Sequence, residues 1–300
     1  MAGETKRRTT RRSAFTGATG ATGVSGLSAE LRGFREVQRL AYECAEAVAA
    51  QLRPGLTERE AARMQREWLR ERGVRDWFHM PFAWFGDRTA FANFKVPLQF
   101  FPTNRRLEPG MPFILDMAPV HNGYAADVGY SGSLGLHPVQ DRLMADLRPH
   151  RELILRQVRE RRSLREIYEN VERLMTRQGY ANRHRAYPFG VIAHKLDRVK
   201  ERRWSPTAFG FGTQSLKGLA SDALHGHREG WSPLWSPYHF SDHVPRPGLW
   251  AVEPHLGFRG TGAKFEEILV VTDSRDPEES AFWLDDDLPH VRRWAEEKAA

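Results

Sequence analysis

The sequence has little cysteine and no long apolar run. Its single cysteine, Cys44, excludes an internal disulfide framework and is typical of a reducing compartment, so we expect a cytoplasmic protein. No stretch of 18 or more apolar residues occurs, which excludes a transmembrane helix and a membrane partner. Cys44 falls on the apolar face of a predicted helix, and this position indicates a buried structural thiol rather than a reactive one.

The positive charge is concentrated at one end of the chain. The net charge is +7, and five basic residues fall within the first dozen positions. Residues 1–27 are rich in Thr, Ser, Gly and Arg without apolar periodicity, so we predict a disordered basic tail. Such a tail can contact nucleic acid, but no aromatic residue interleaves with its arginines to provide a stacking platform. We therefore expect a solvated tail and no nucleic-acid partner.

Residues 28–300 read as one domain in which helices and strands alternate in blocks. Apolar residues recur at helical spacing from Leu31 to Val48. A second helix starts at a capping box formed by Thr57 and Glu60 and stops at Gly73. Further helices are predicted over 138–179 and near the C-terminus. Segments 77–106 and 195–247 read as irregular, the first with a few short strands.

The candidate functional carboxylates lie on the predicted strands. Two strands, 112–119 and 124–131, are joined by a hairpin turn at Asn122-Gly123, and two more cover 249–254 and 264–272. Blocks of helices and antiparallel strands predict an α+β fold with an antiparallel sheet covered by helices. Each predicted strand carries a carboxylate in an otherwise apolar run, which is costly unless its charge is compensated. These carboxylates are Asp116, Asp127, Glu253 and Glu266.

Four carboxylates converging with one imidazole are suited to a pair of divalent ions such as Mn, Co, Zn or Fe. A water that bridges two such ions becomes hydroxide near neutral pH and attacks a carbonyl carbon. The pattern therefore predicts a dinuclear hydrolase.

The same residues resemble signatures of the pita-bread metallopeptidase family, which includes methionine aminopeptidases, aminopeptidase P and creatinase-like enzymes. Pro109-Gly110 precedes Asp116, and Asp127 follows eleven residues later. A second Pro-Gly precedes a strand that ends in Glu253-Pro254. A Phe-Glu strand at Phe265-Glu266 runs into Val-Thr. The resemblance covers roughly residues 30–275.

This resemblance implies a single pita-bread domain over 28–300, without the additional N-terminal domain of the proline-specific branches. It implies that Asp116, Asp127, Glu253 and Glu266 bind two metal ions. It places the ligand directly after Phe265, so Glu266 is preferred over Glu267. Because neighbouring strand residues face opposite sides, Glu267 is expected to be exposed or outside the inner ligand set.

The family's His-Gly-x-Gly element is altered in this chain. In one register, His194 is the metal-binding histidine and the second histidine is missing. In the other, Tyr187 replaces the metal ligand and His194 orients the substrate. We favour His194 as a ligand. A further histidine usually precedes the first Asp by about 18 residues, but here Asn93 and Phe94 lie in that region, and His79 is farther upstream. Four histidines in 195–247 read as surface or loop residues: His225, His227, His239 and His243.

The favoured function is a metal-dependent aminopeptidase that cleaves an N-terminal residue or an Xaa-Pro bond in a peptide substrate, with a homodimer as a further expectation. Glu253 is the candidate for handling the proton of the bridging water, and His194 is the second catalytic candidate. The alternative function is a catalytically inactive pita-bread protein that binds a peptide or protein.

Overall fold

The computed structural model describes residues 28–200, 206–208 and 210–299. The predicted basic tail, 1–27, lies outside the described residues. Each described helix is too short or too polar to cross a membrane. The α-helices in this part of the chain are α1 Ala29–Ala49, α2 Glu58–Glu71, α3 Pro138–Arg159, α4 Leu164–Arg177, α5 Thr213–Glu229, α6 Pro277–Ser280 and α7 Pro289–Ala299.

The described strands range from two to ten residues in length. They are β1 Asp76–Phe85, β2 Pro112–His121, β3 Tyr124–Ala125, β4 Val128–Ser133, β5 Ala181–Asn182, β6 Ala193–Leu196, β7 Thr207–Ala208, β8 Phe211–Gly212, β9 Leu234–Trp235, β10 Gly248–Val252, β11 His255–Phe258, β12 Thr261–Lys264, β13 Glu267–Val271 and β14 Ala281–Trp283.

These strands form three antiparallel sheets with helices packed against them. The first sheet has the order β3-β2-β1-β8-β7, with β4 also paired to β2. The second has the order β14-β13-β10-β6-β9, and the third is β12-β11-β5. Antiparallel strands with packed helices confirm the predicted fold class. The expected single sheet is divided into three.

Helix ends follow local signals. The Ser28 side chain accepts a hydrogen bond from the Leu31 N–H at the start of α1. Thr57 and Glu60 form the complete capping box of α2, which satisfies N–H groups that lack helical partners. Cys44 is fully buried, as predicted. Its environment is apolar, and burial raises the pKa of its thiol.

Two segments that the sequence reads as irregular each contain one long regular element. The predicted short strands of 77–106 are replaced by the ten-residue strand β1, which pairs with β2. Segment 195–247 contains the 17-residue helix α5. Its end at Gly230, where φ is 74°, follows the usual left-handed glycine stop. Because glycine and proline are frequent around α5, the composition of segment 195–247 does not indicate a helix.

Both long C-terminal strands predicted from the sequence are broken. The first ends at Val252, because Pro254 has no N–H for the ladder, and the chain then enters the third sheet as β11. The second is interrupted at Phe265 and Glu266, between β12 and β13. The predicted strand 124–131 is likewise interrupted at Asp127. Three of the four candidate carboxylates therefore lie at strand breaks where the sheets meet.

Candidate metal centre

Asp116 and Asp127 meet at the imidazole of His79. Asp116 lies within β2, and Asp127 lies between β3 and β4. His79 Nε2 is 3.1 Å from Asp116 Oδ1 and 2.9 Å from Asp127 Oδ1. All three residues are buried. The hairpin at Asn122-Gly123 thus brings the two aspartates to one point, and β1 supplies an imidazole there.

His194 approaches the same aspartate from the second sheet. It lies on β6, opposite Ala251 of β10. Its Nε2 is 3.2 Å from Asp127 Oδ2, the oxygen that His79 does not contact. Each oxygen of Asp127 therefore faces one imidazole nitrogen, and the three side chains connect the first sheet to the second.

Backbone carbonyl groups and aromatic rings hold both imidazoles in place. His79 Nδ1 is 2.8 Å from the Met80 carbonyl, and His194 Nδ1 is 3.3 Å from the Lys195 carbonyl. The Nδ1 contact with a carbonyl fixes the orientation of each ring and turns Nε2 toward the carboxylates; a metal ion would bind the Nε2 lone pair once that nitrogen has lost its proton. The His194 ring stacks on Phe78 with centroids 4.8 Å apart, and the His79 ring stacks on Phe82 at 5.1 Å. This orientation is the one that metal-binding imidazoles adopt.

Glu253 and Glu266 enter the site around a buried lysine. Lys264 is the last residue of β12 and is 1% exposed. Its Nζ lies 2.7 Å from Glu253 Oε2, 3.0 Å from Glu266 Oε2 and 2.5 Å from Asp116 Oδ2. The structure thus brings together the four carboxylates and His194, and it adds His79 and Lys264 to them.

Glu267 is neither exposed nor part of this cluster. Its side chain is fully buried and forms a bidentate ion pair with Arg151, with Nε–Oε1 at 2.6 Å and Nη2–Oε2 at 3.1 Å. His290 Nε2 lies 3.2 Å from the same Oε1. Of the two alternatives expected for Glu267, exposure was wrong, and a position outside the inner ligand set is the one found, because its side chain packs against Arg151 of α3 and His290 of α7 rather than solvent.

The electrostatics follow from burial and charge pairing. Burial acts to lower the pKa of His79, but the two aspartates raise it well above its usual value. Burial likewise opposes the charge on Lys264, and its three carboxylate neighbours raise the pKa of the ammonium well above the usual value. Burial and the nearby Asp127 and Glu253 raise the pKa of Glu266. For Asp127, the imidazoles outweigh burial and lower the pKa of the carboxyl group.

The donor atoms fit a divalent ion beside Asp127. Two groups of three have ligand atoms within 4.8 Å of one another: His79, Asp116 and Asp127, and Asp127, His194 and Glu266. Imidazole nitrogen together with carboxylate oxygen suits Zn, Mn, Co or Fe. One further polar atom, the Tyr187 hydroxyl, is buried without a hydrogen-bond partner among the described residues. Its ring lies 5.3 Å from Lys264 Nζ, so the hydroxyl group belongs to the same region.

Sequence reasoning missed His79 and Lys264. From the sequence, His79 was judged to lie too far upstream of Asp116 to reach the site. Its approach depends on register shifts in β1 on both sides of it, which the sequence does not reveal. The available signal for both was an ionisable residue within a strand-like run, the same signal that identified the carboxylates. The four later histidines do not reach the site: His225 and His227 lie on α5, and His239 and His243 lie in the following loop region.

The sequence and the fold both have known relatives. Residues 32–273 match the profile of Metallopeptidase family M24. No curated protein matches the sequence significantly. The matched range contains every residue of the candidate metal centre.

Solved peptidase structures share this fold at low identity. A prolidase from Thermococcus sibiricus has 16% identity and a TM-score of 0.59, covering 85% of this chain and 58% of its own. An X-Pro aminopeptidase from Thermotoga maritima MSB8 has 14% identity and a TM-score of 0.60, and the match covers 85% of this chain and 60% of that protein. A His350Ala variant of Escherichia coli aminopeptidase P has 15% identity and a TM-score of 0.60, and the match covers 91% of this chain and 60% of that protein. The chain therefore spans about three fifths of the length of these proteins.

Proposed function

The chain belongs to metallopeptidase family M24, and we propose on that premise that it is a metal-dependent peptidase that acts at the N-terminal end of peptides. The observation that carries the proposal is the position of Asp127, which is shared by two groups of potential metal ligands. Peptides with proline at the second position are the first substrates to test, since similar structures are a prolidase and an X-Pro aminopeptidase.

In this proposal Asp127, His194 and Glu266 hold a divalent ion, with His79 and Asp116 on its other side. A divalent ion bound there would lower the pKa of a bound water and polarise the substrate carbonyl group. Lys264 contacts only Oε2 of Glu253, so Glu253 Oε1 is the oxygen assigned to take up the proton of that water. Of the two alternative roles of His194, we keep that of metal ligand, because its Nε2 faces Asp127 Oδ2 while its ring stacks on Phe78.

The test is the metal content of the purified protein after reconstitution with Mn, Co or Zn, followed by peptide hydrolysis. Asp127→Asn should abolish both, because the amide has lost the negative charge that the ion and both imidazoles face. Asp197→Asn is the matched control: Asp197 also pairs with a cation, Lys195, but its side chain is 57% exposed. A wild-type protein that binds no ion, or an Asp127→Asn variant with full metal content, would contradict the proposal.

A second candidate function is a peptide-binding module without turnover. One observation favours it: Lys264 and His79 place positive charge among the four carboxylates, so the cluster is partly compensated without any ion. A protein that remains folded and free of metal after reconstitution, and that binds peptides without cleaving them, would establish this alternative. The cytoplasmic location and the homodimer stay predictions; fractionation and light scattering test them.

A further inference from the structure

The Lys264 ammonium makes its polar contacts with candidate metal ligands. An ammonium group has three N–H donors and no acceptor. Lys264 Nζ donates hydrogen bonds to Glu253 Oε2 at 2.7 Å and to Glu266 Oε2 at 3.0 Å, and it forms an ion pair with Asp116 Oδ2 at 2.5 Å. Glu253 lies just before β11, Glu266 lies just after β12, and Asp116 lies on β2. Three of the four carboxylates therefore surround the ammonium.

The fold fixes the lysine at this position. The Ser131 hydroxyl of β4 accepts from the Lys264 N–H at 2.9 Å and donates to the Lys264 carbonyl at 2.7 Å. The side chain then passes over Gly129, where a Cβ would lie 2.2 Å from Lys264 Cε. Gly129 pairs with Asp116 across the two strands. The absence of a side chain at Gly129 opens the path by which the ammonium reaches the carboxylates.

These contacts divide the site in two. On one side, Lys264 holds Asp116 Oδ2, Glu253 Oε2 and Glu266 Oε2. On the other side, the two imidazoles face both oxygens of Asp127. We infer that the Lys264 ammonium takes the place of one of the two expected metal ions, so that the chain binds a single divalent ion beside Asp127. This inference rests on the proposed function.

The ammonium and a second ion exclude each other for two reasons. A dication on the Lys264 side needs the same carboxylate oxygens at about 2.0–2.2 Å, and it needs the volume that Nζ occupies. Two like charges at this separation also repel strongly in a buried site. The Lys264 ammonium, which carries one positive charge and is part of the chain, therefore replaces a divalent ion that would have to bind from solution.

The experiment counts ions per chain by elemental analysis and calorimetric titration with Zn or Mn after removal of bound metal. The wild type should bind one ion, and Lys264→Met should bind two, because methionine keeps an unbranched apolar side chain but lacks the charged Nζ. Lys217→Met is the control and should still bind one ion, because Lys217 is an exposed lysine on α5, away from the site.

A second variant keeps the test decisive if Lys264→Met does not fold. Gly129→Ala leaves the lysine in the chain but forces its side chain away from the carboxylates, since the new methyl group overlaps Cε and Cδ. It should also raise the count from one ion to two. Anomalous diffraction at the zinc edge should show the additional ion among Asp116, Glu253 and Glu266 in whichever variant folds.

The outcomes separate this inference from the proposed function. Two ions in the wild type would overturn the role of Lys264 and leave the peptidase proposal standing. One ion in the wild type and also in every folded variant would overturn it too. No ion in the wild type but one or more in a variant would show that Lys264 blocks metal binding altogether, and it would overturn both the single-ion inference and the peptidase proposal. No ion in any of these proteins would overturn both.

Discussion

His79 Nε2 lies 2.9 Å from Asp127 Oδ1, although His79 is on β1 and Asp127 lies 48 residues later, between β3 and β4. The register of β1 against β2 shifts on both sides of His79, and these shifts direct its side chain into the space between the aspartates. Because the ring is also held by the Met80 carbonyl and by Phe82, its orientation is set before any ligand binds.

Substitution of His79 should weaken metal binding without unfolding the protein. His79→Gln removes the imidazole that faces both aspartates, and we expect metal affinity to fall by about 10- to 100-fold, as for other groups that orient metal ligands. Calorimetric titration with Zn or Mn measures the change. His225→Gln, at an exposed histidine on α5, should bind metal like the wild type. Unchanged affinity in His79→Gln would show that this ring has no part in the metal centre.

Removal of the Tyr187 hydroxyl should affect peptide binding more than stability. The hydroxyl is buried and has no partner among the described residues, so Tyr187→Phe should leave the free energy of unfolding unchanged or slightly higher. If the group contacts the peptide, the KM for a peptide substrate rises while the metal content stays at the wild-type value. Tyr238→Phe, at a residue that is 51% exposed, is the control. A wild-type KM would remove Tyr187 from the substrate site.

His150 should make the fold sensitive to mild acid. Burial lowers the pKa of His150 to about 4 from its usual value of 6.5. The unfolded chain binds the proton more readily, so stability is full above about pH 6.5 and is lost as the pH falls toward 4. This residue alone contributes a loss of about 2 kcal/mol between pH 7.5 and pH 5.

Urea unfolding at the two pH values measures that loss. His150→Gln should reduce the difference between pH 7.5 and pH 5, although it costs stability at both because Nε2 loses its contact with Gln178 at 2.7 Å. His225→Gln should leave the difference unchanged, since His225 is exposed. If the variant and the wild type lost the same stability in acid, the neutral state of His150 in the fold would be wrong.

Glu58 should be a strong determinant of stability. Its fully buried carboxylate accepts hydrogen bonds from the Phe85 N–H, from Arg88 Nε and from the backbone and hydroxyl of Thr103. Glu58→Ala would leave a half-buried cation and buried N–H groups unpaired, so we expect a loss of about 3–5 kcal/mol in the free energy of unfolding. Glu71→Ala on the same helix should change it by less than about 0.5 kcal/mol, because Glu71 is exposed. Equal effects would contradict the role of Glu58.

Local features of the chain could be predicted because neighbouring residues determine them. Thr57 starts its helix where the sequence placed it. Asn122 and Gly123 adopt φ values of 53° and 78°, as the predicted hairpin turn requires. The carboxylate positions were visible for a similar reason, since a charged residue within an apolar strand is anomalous whatever the strand packs against.

Other features depend on contacts between distant parts of the chain. The strand β1 is stabilised by β2, whose paired residues lie 28 to 44 positions later, and the sequence of 77–106 alone reads as irregular. The expectation that the four carboxylates require metal ions considered the negative charges in the site but no positive side chain among them. It did not include Lys264, because nothing in the sequence shows that this side chain points into the site rather than away from it.

The sequence by itself determined the helix starts, the hairpin, the family and the set of acidic residues, because these follow from short-range propensities and from residue types at fixed spacings. The tertiary structure decided which charges meet. The pairing of β1 with β2 positions His79 in the site. The strand breaks beside Asp127, Glu253 and Glu266 direct these three side chains toward one point. The absence of a side chain at Gly129 leaves room for Lys264. Burial then made each of these pairings strong, because a low-dielectric interior leaves a charge no partner except its neighbours.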